Sequence, residues 1–106
     1  MRLMALVLAL LISAGCSGPK PQVRSAEVAP PRDGKASVTV VIVNTESGDG
    51  QIEVKITLRD GDRVVGRAEQ ATELKAKETV TLVIEVNVPA DVKALRVEAE
   101  AVYPPD

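Results

Sequence analysis

Residues 50–61 read GQIEVKITLRDG, and this stretch decides the fold class. Apolar residues alternate with charged or hydroxyl residues from Ile52 to Leu58, and a period of two is typical of a strand with one buried face. The Asp60-Gly61 pair that follows favours a tight hairpin, because such turns need positive φ angles. The stretch therefore predicts a half-buried strand that turns back into an antiparallel partner, Arg63 to Ala71.

The same alternation recurs on both sides of this stretch. The further apolar rows are Ala36, Val38, Val40 and Ile42; Val80, Leu82, Ile84, Val86 and Val88; and Leu95, Val97, Ala99, Ala101 and Tyr103. Turn-forming segments separate the rows, and no amphipathic helix pattern is visible. Five strands at about ten-residue spacing predict an all-β fold, a small antiparallel immunoglobulin-like sandwich over residues 36–106. Val41 and Val43 add apolar side chains to the second face of the first strand, which predicts that this strand is central or covered on both sides.

The composition excludes most enzyme classes. The chain has 106 residues, no His, one Cys and one Tyr. Without His, both the usual general base at neutral pH and the commonest transition-metal ligand are missing. One Cys allows no internal disulfide. We therefore expect a non-enzymatic protein that needs no cofactor.

The charges are balanced and scattered. Thirteen Lys and Arg stand against fifteen Asp and Glu, a net charge of -2, with no run of either sign. Nucleic-acid binding needs a basic surface and, for single strands, aromatic stacking platforms. We expect no nucleic-acid partner.

The first fifteen residues differ from the rest of the chain. Arg2 is followed by an unbroken apolar stretch, Leu3 to Ile12, and then by the small residues Ser13-Ala14-Gly15. This is the three-part layout of a secretory signal peptide. The apolar stretch is about half of the roughly 20 residues that a membrane-spanning helix needs. Residues 1–15 are therefore predicted to be a cleaved signal.

Ser13-Ala14-Gly15-Cys16 resembles the lipobox of bacterial lipoproteins, although Ser13 stands where that family usually has Leu. The resemblance implies cleavage before Cys16, a diacylglyceryl group on its sulfur, and often a further acyl chain such as palmitate on the new amino group. It also implies a location in the cell envelope, on the periplasmic side of the outer membrane or on the outer face of the plasma membrane. Ser17 in place of Asp after the cysteine favours sorting to an outer membrane. The alternative is an ordinary cleaved signal that leaves Cys16 as a free thiol.

Residues 16–35 contain four prolines and few large apolar side chains. Proline fixes φ and donates no backbone hydrogen bond, so the segment favours extended, solvated conformations. It is predicted to be a tether between the lipid on Cys16 and the folded domain. A second interpretation stays open, in which Gln22 to Ala29 forms a first edge strand.

The stretch from Val41 to Leu74 resembles the FxLYD-like and related immunoglobulin-like modules of bacterial envelope proteins. Ile56-Thr57-Leu58-Arg59-Asp60 stands where those modules have F-x-L-Y-D, and Asn44 follows the first strand as in their V-x-N step. Ile56 and Arg59 replace both aromatic positions. The resemblance implies the sandwich fold and no particular activity.

Two features suggest sites. Strand alternation places Asp33, Asp60, Asp62 and Asp91 at one end of the sandwich, where four carboxylates are candidate Ca²⁺ ligands. Cationic neighbours at the same end make ordinary solvated turns the competing interpretation. Tyr103, the only aromatic residue, either caps the open end of the core or contacts a partner.

Strand counting suggests where a partner binds. If the last strand is the sixth of an immunoglobulin-like set, the seventh is missing and one sheet ends in an unpaired strand. Such edges accept strands from other proteins. The alternative is a sandwich that is complete with five or six strands. The sequence thus predicts a membrane-anchored envelope lipoprotein that binds or supports another envelope component through sheet edges or loops. A ligand- or calcium-binding module built on the aspartate-bearing loops is the second hypothesis.

Overall fold

A computed structural model describes residues 18–105, which form six β-strands and no helix. The strands are β1 (Pro21–Val28), β2 (Lys35–Asn44), β3 (Gly50–Asp60), β4 (Arg63–Leu74), β5 (Thr79–Asn87) and β6 (Leu95–Val102). The predicted signal peptide and Cys16 lie outside the described residues. Within 18–105, no helix is long and apolar enough to cross a membrane.

The strands form two antiparallel three-stranded sheets, which confirms the predicted all-β sandwich. One sheet has the order β1-β2-β5 and the other β4-β3-β6. In immunoglobulin domains the second and fifth strands pair in one sheet and the third and sixth in the other. The same pairs are formed here. Beyond β6, where those domains have a seventh strand, residues 18–105 contribute no further strand.

The core lies between the two central strands, β2 and β3. The alternate residues predicted for these strands are fully buried: Ala36, Val38, Val40 and Ile42 on β2, and Ile52, Val54, Ile56 and Leu58 on β3. Six of these eight residues are Val or Ile, whose β-branched side chains suit the pleated surface of a sheet. Ile84, Val86 and Val88 extend this core from β5, and Leu74 extends it from the end of β4.

β1 settles the question that the sequence left open for residues 22–29. It pairs with β2 as an edge strand, in register from Pro21↔Asn44 to Val28↔Val38. The segment predicted as a tether, residues 16–35, therefore contains a strand of the folded domain. A bulge between Val23 and Ser25 shifts the register, so that Val23 and Ala26 both face the core although their positions differ in parity.

β2 is central in its sheet, as its second apolar face predicts. Val41 and Val43 lie on the outer face of the sheet and are half-buried. Their neighbours across β5 are Thr81 and Thr79, and Val83 on the same strand is 64% exposed. The outer face of this sheet is thus mostly β-branched and uncharged at its centre.

Candidate functional site

The two lateral sides of the sandwich differ in how deeply their core-facing side chains are buried. On one side β1 lies beside β6, and on the other β4 lies beside β5. Neither β1 nor β6 has a single fully buried residue. Their core-facing side chains are only partly covered: Val23, Ala26 and Val28 on β1, and Leu95, Val97, Ala99 and Ala101 on β6. We call the β1–β6 side the open side.

The edge of β6 is regular over its whole length. β6 pairs with β3 through eight consecutive residues, from Leu95↔Asp60 to Val102↔Glu53, without a bulge. It is the last strand of its sheet in the part of the chain that the structure describes. A straight edge strand presents a row of backbone donors and acceptors that another strand can pair with. β6 is therefore the candidate binding element.

The neighbouring edge, β1, is less suited to accept a strand. Pro21 removes a donor at its start, and the bulge next to Arg24 interrupts its pairing with β2. Prolines and bulges are devices by which natural edge strands avoid further pairing. The open side therefore has one protected edge and one regular edge.

On the opposite side, which we call the closed side, strands β4 and β5 approach each other closely at Gly66. A methyl group at Gly66 on β4 would lie 2.8 Å from the backbone oxygen of Asn87 and 2.8 Å from Val86 Cγ1 on β5. Gly66 thus allows the edges of the two sheets to approach each other closely. Ile84 and Val86 are buried behind this contact. β4 has one bulge near the hairpin, where its register with β3 shifts between Leu58 and Arg59, and it pairs regularly from Gly66 to Leu74.

Charged side chains line the outer face of the β6 edge. Arg59 Nε lies 3.2 Å from Glu98 Oε1, and Arg96 lies 3.9 Å from the other oxygen of Glu98. Glu100 stands opposite Lys55 in the β3–β6 register. The side chain of Glu98 is 50% exposed, so these pairs are screened by water and add little to stability. They give the edge a pattern of one cation followed by two anions.

The four aspartates predicted as calcium ligands lie at one end of the sandwich, Asp60 as the last residue of β3 and the other three in turns. Asp60 accepts the N–H groups of Lys93 (3.1 Å) and Ala94 (3.2 Å). Arg63 lies 3.7 Å from Asp60 and 3.3 Å from Asp91. Asp33 is in the β1–β2 turn with a positive φ of 51°, and Asp62 lies in the exposed β3–β4 turn. Among residues 18–105, no three acidic, His or Cys side chains converge on a metal-sized site.

The contacts of Asp60 also set its titration. The hydrogen bonds from Ala94 and Lys93, together with the nearby Arg63 and Lys93 charges, lower the pKa of Asp60 below its ordinary value. The carboxylate therefore ties the β5–β6 loop to the end of β3. We call this end of the sandwich, formed by residues 29–34, 61–62 and 88–94, the Asp60 end.

The opposite end is organised around Asn44, a residue whose role the sequence does not reveal. Asn44 is 1% exposed and is the buried polar residue of the described chain. Its Oδ1 accepts the N–H groups of Lys20 and Glu46, each at 3.0 Å. Its Nδ2 donates to the carbonyl oxygens of Gly48 (2.7 Å) and Lys75 (3.0 Å). We call residues 18–20, 45–49, 75–78 and 103–105 the Asn44 end.

Tyr103 closes this end against the start of the described chain. A methyl group at Gly18 would lie 2.7 Å from Tyr103 Cζ, and one at Gly50 would lie 2.7 Å from Tyr103 Cε1. Pro19 is buried beside them. The ring is nevertheless 43% exposed. Tyr103 thus covers two glycines with one part of its ring and presents the rest to the surroundings.

Comparison with known proteins adds no identity. No protein-family model matches the chain, and no curated protein matches it. The functional inference therefore depends on the residues and their geometry.

Proposed function

We propose that this chain is a non-enzymatic envelope lipoprotein whose β-sandwich binds another envelope protein by accepting a strand along β6. The signal peptide, residues 1–15, is removed, and the lipid on Cys16 holds the domain at a membrane. New main-chain hydrogen bonds along the β6 edge and burial of its half-buried apolar side chains provide the binding free energy.

A single observation supports the binding mode. β6 is an unbroken edge strand of eight residues with only partly covered core-facing side chains. An added strand would complete the sheet and cover Val97, Ala99 and Ala101 from the side. β4 and β5 also have free edges, but Ile84 and Val86 on β5 are already buried and Gly66 brings β4 against β5, so a strand added there would cover less apolar surface.

The edge also sets the chemistry of the strand that it accepts. Such a strand would alternate, with apolar residues toward the core and polar residues toward the outer face. Opposite-charge pairs across neighbouring strands stabilise a sheet, whereas like charges destabilise it. Because Glu98 and Glu100 follow one another on the outer face of β6, we expect Lys or Arg in the partner strand beside them.

The lipid part of the proposal rests on the lipobox-like Ser13-Ala14-Gly15-Cys16. One acyl chain binds a membrane marginally, whereas two or three hold a protein there for long times. The intact mass of the protein purified from its native membrane tests this point. We expect loss of residues 1–15 and the added mass of diacylglycerol, with or without an N-acyl chain. A Cys16→Ala variant should leave the membrane fraction, and its retention there would contradict the lipid anchor.

The binding mode is tested by site-specific crosslinking in the native membrane. A photo-crosslinking residue is placed at Arg96 on β6 or, as the control, at Glu69 on β4 of the closed side; both positions are exposed. We expect one discrete adduct from position 96 and none of that size from position 69. Equal adducts from both positions would contradict binding at the open side.

A pair of proline variants then separates edge binding from mere proximity. Consecutive N–H groups of a strand point to opposite edges, so Glu98→Pro and Ala99→Pro remove donors from opposite sides of β6. One substitution breaks the β3–β6 ladder and lowers the melting temperature; the other acts on the open edge and leaves the fold largely intact. We expect the adduct to disappear in the well-folded variant. Its persistence there would rule out strand addition.

A further inference from the structure

Few residues separate Cys16 from the folded domain, which limits how far the domain can lie from the membrane. This inference rests on the proposed lipid at Cys16. The first described residues are held by the domain. The N–H of Lys20 donates to Asn44 Oδ1 at 3.0 Å, and the carbonyl of Lys20 accepts the N–H of Thr45 at 3.2 Å. Pro19 is buried, and Gly18 lies against Tyr103. The chain is therefore held against the domain from Gly18 onward.

Only Ser17 separates Gly18 from Cys16. Two residue steps span at most about 7 Å, even when fully extended. A stalk of the length predicted for residues 16–35 would instead have allowed the domain to move tens of ångströms away from the bilayer. Because β1 takes up residues 21–28 of that segment, this freedom is lost.

We propose that the Asn44 end rests directly on the phospholipid headgroups, with the strands rising from the membrane surface. The chain reaches Cys16 from this end, and the loops that flank it belong to the same end. The occupant of this surface is the lipid bilayer that holds the acyl chains of Cys16.

The chemistry of the Asn44 end fits a headgroup layer. Its charges balance: the cations are Lys20, Lys75 and Lys77, and the anions are Glu46, Asp49 and Glu78. Two of the carboxylates are turned into the loops, because Asp49 accepts the N–H of Ala76 (2.7 Å) and Glu78 accepts the N–H of Lys75 (2.8 Å). Lys75 and Lys77 are exposed. The described residues of this end therefore carry no net charge that anionic headgroups would repel.

Tyr103 supplies the apolar contact at this end. Its ring is 43% exposed beside Gly18, two residues from the cysteine. Tyrosine is favoured at membrane–water interfaces, where its ring enters the headgroup region and its hydroxyl stays hydrated. Tyr103 thus lies where its ring can enter the headgroup region.

The position of the Asn44 end on the bilayer limits which proteins can bind β6. Val102 is at the Asn44 end of β6 and Leu95 is at the far end, about 23 Å away at 3.3 Å per residue. Adding the reach of about 7 Å from Cys16 places the whole β6 edge within about 30 Å of the bilayer surface. The partner strand must therefore belong to a protein segment close to the same membrane.

Fluorescence quenching in vesicles tests whether the Asn44 end rests on the headgroups. The lipidated full-length protein, verified by intact mass, is reconstituted into vesicles of phosphatidylethanolamine and phosphatidylglycerol that contain a lipid with a nitroxide on its headgroup. A fluorophore is attached at Ser47→Cys in the Asn44 end or, as the matched control, at Asp62→Cys in the Asp60 end. Both positions are exposed. We expect severalfold stronger quenching at position 47.

A spacer variant provides the second arm. Twelve Gly and Ser residues inserted between Ser17 and Gly18 add a flexible reach of about 20 Å. Quenching at position 47 should then fall toward the value at position 62. If the lipidated, vesicle-bound protein without the insertion shows equal quenching at the two positions, the Asn44 end does not rest on the bilayer. The proposal of a lipoprotein would remain intact. Absence of lipid on Cys16 in the mass measurement would overturn both.

Discussion

The two ends of the sandwich are held together by opposite means. At the Asn44 end, a neutral amide that is 1% exposed makes four hydrogen bonds to three separate segments. At the Asp60 end, a charged carboxylate that is 16% exposed accepts two backbone N–H groups and lies near Arg63. A neutral group pays no penalty for burial of a charge, so its hydrogen bonds can be placed away from solvent.

This difference predicts unequal sensitivity to substitution. Buried hydrogen bonds leave unsatisfied groups when one partner is removed, whereas water replaces a lost partner at an exposed site. The Asn44 end should therefore be the rigid end and the Asp60 end the tolerant one. The rigid end is also the one that continues toward Cys16.

The largest effect is expected from Asn44→Leu. The leucine cannot bond to the N–H groups of Lys20 and Glu46 or to the carbonyls of Gly48 and Lys75, so four partly buried backbone groups lose their partner at once. We expect the free energy of unfolding to fall by about 3 kcal/mol, measured by urea denaturation. For a small domain this is a large fraction of the total stability.

Asn87→Leu is the matched control for that measurement. Asn87 ends β5 as Asn44 ends β2, but its side chain is exposed at the Asp60 end. Exposed substitutions usually change stability by less than about 0.5 kcal/mol. Comparable losses in the two variants would mean that the Asn44 hydrogen bonds do not distinguish the two ends.

The sequence predicts the parts of the fold that depend on local pattern. The strict alternation in residues 36–42 and 52–58 predicts the buried faces of β2 and β3, and these residues are the centre of the core. The Asp60-Gly61 hairpin is also confirmed, with Gly61 at a φ of +64°. Each of these features is encoded by neighbours within a few positions along the chain.

Features that depend on distant contacts are less visible. β1 stays ambiguous in the sequence because its bulge places Val23 and Ala26 on the same face and so breaks the period of two. The importance of Asn44 depends on Lys20 and Lys75, which are 24 and 31 positions away. The openness of β6 follows from sheet order, which strand counting suggests but does not specify. The residues near Asp60 are correctly placed at one end, whereas their contacts with N–H groups and Arg63 are tertiary.

Gly50→Ala should produce the next largest effect. The added methyl group would lie 2.7 Å from the Tyr103 ring and 2.8 Å from Pro19 Cδ, closer than carbon atoms pack. Overpacking of this kind costs about 2 kcal/mol. In the Tyr103→Ala background the loss should be smaller, because one of the two clashes is removed. A double-mutant cycle of urea midpoints measures this coupling, and simple additivity would contradict the contact.

Gly61→Ala probes the Asp60 end with the same chemical change. No atom lies within 4 Å of the added methyl group, so only the positive φ of 64° opposes the substitution. This strain costs about 1 kcal/mol, and Gly61→Asn should cost less, because Asn tolerates the left-handed region. A loss at Gly61 that exceeds the loss at Gly50 would show that backbone strain outweighs packing in this domain.

The smallest effect should come from the titration of Asp60. Its pKa is lowered in the folded protein, mainly by the N–H groups of Ala94 and Lys93. In the unfolded chain the carboxyl has its ordinary pKa of about 3.9 and takes up a proton first as the pH falls. The contribution of Asp60 to stability is therefore fully present above about pH 5 and is lost as the pH falls through the folded-state pKa.

Asp60→Asn removes this contribution at every pH, because the amide stays neutral and replaces one accepting oxygen by a donor. Melting temperatures at pH 7 and pH 3 should thus differ less in Asp60→Asn than in the wild type. An equal drop of the melting temperature in both proteins would assign the acid sensitivity to other carboxylates.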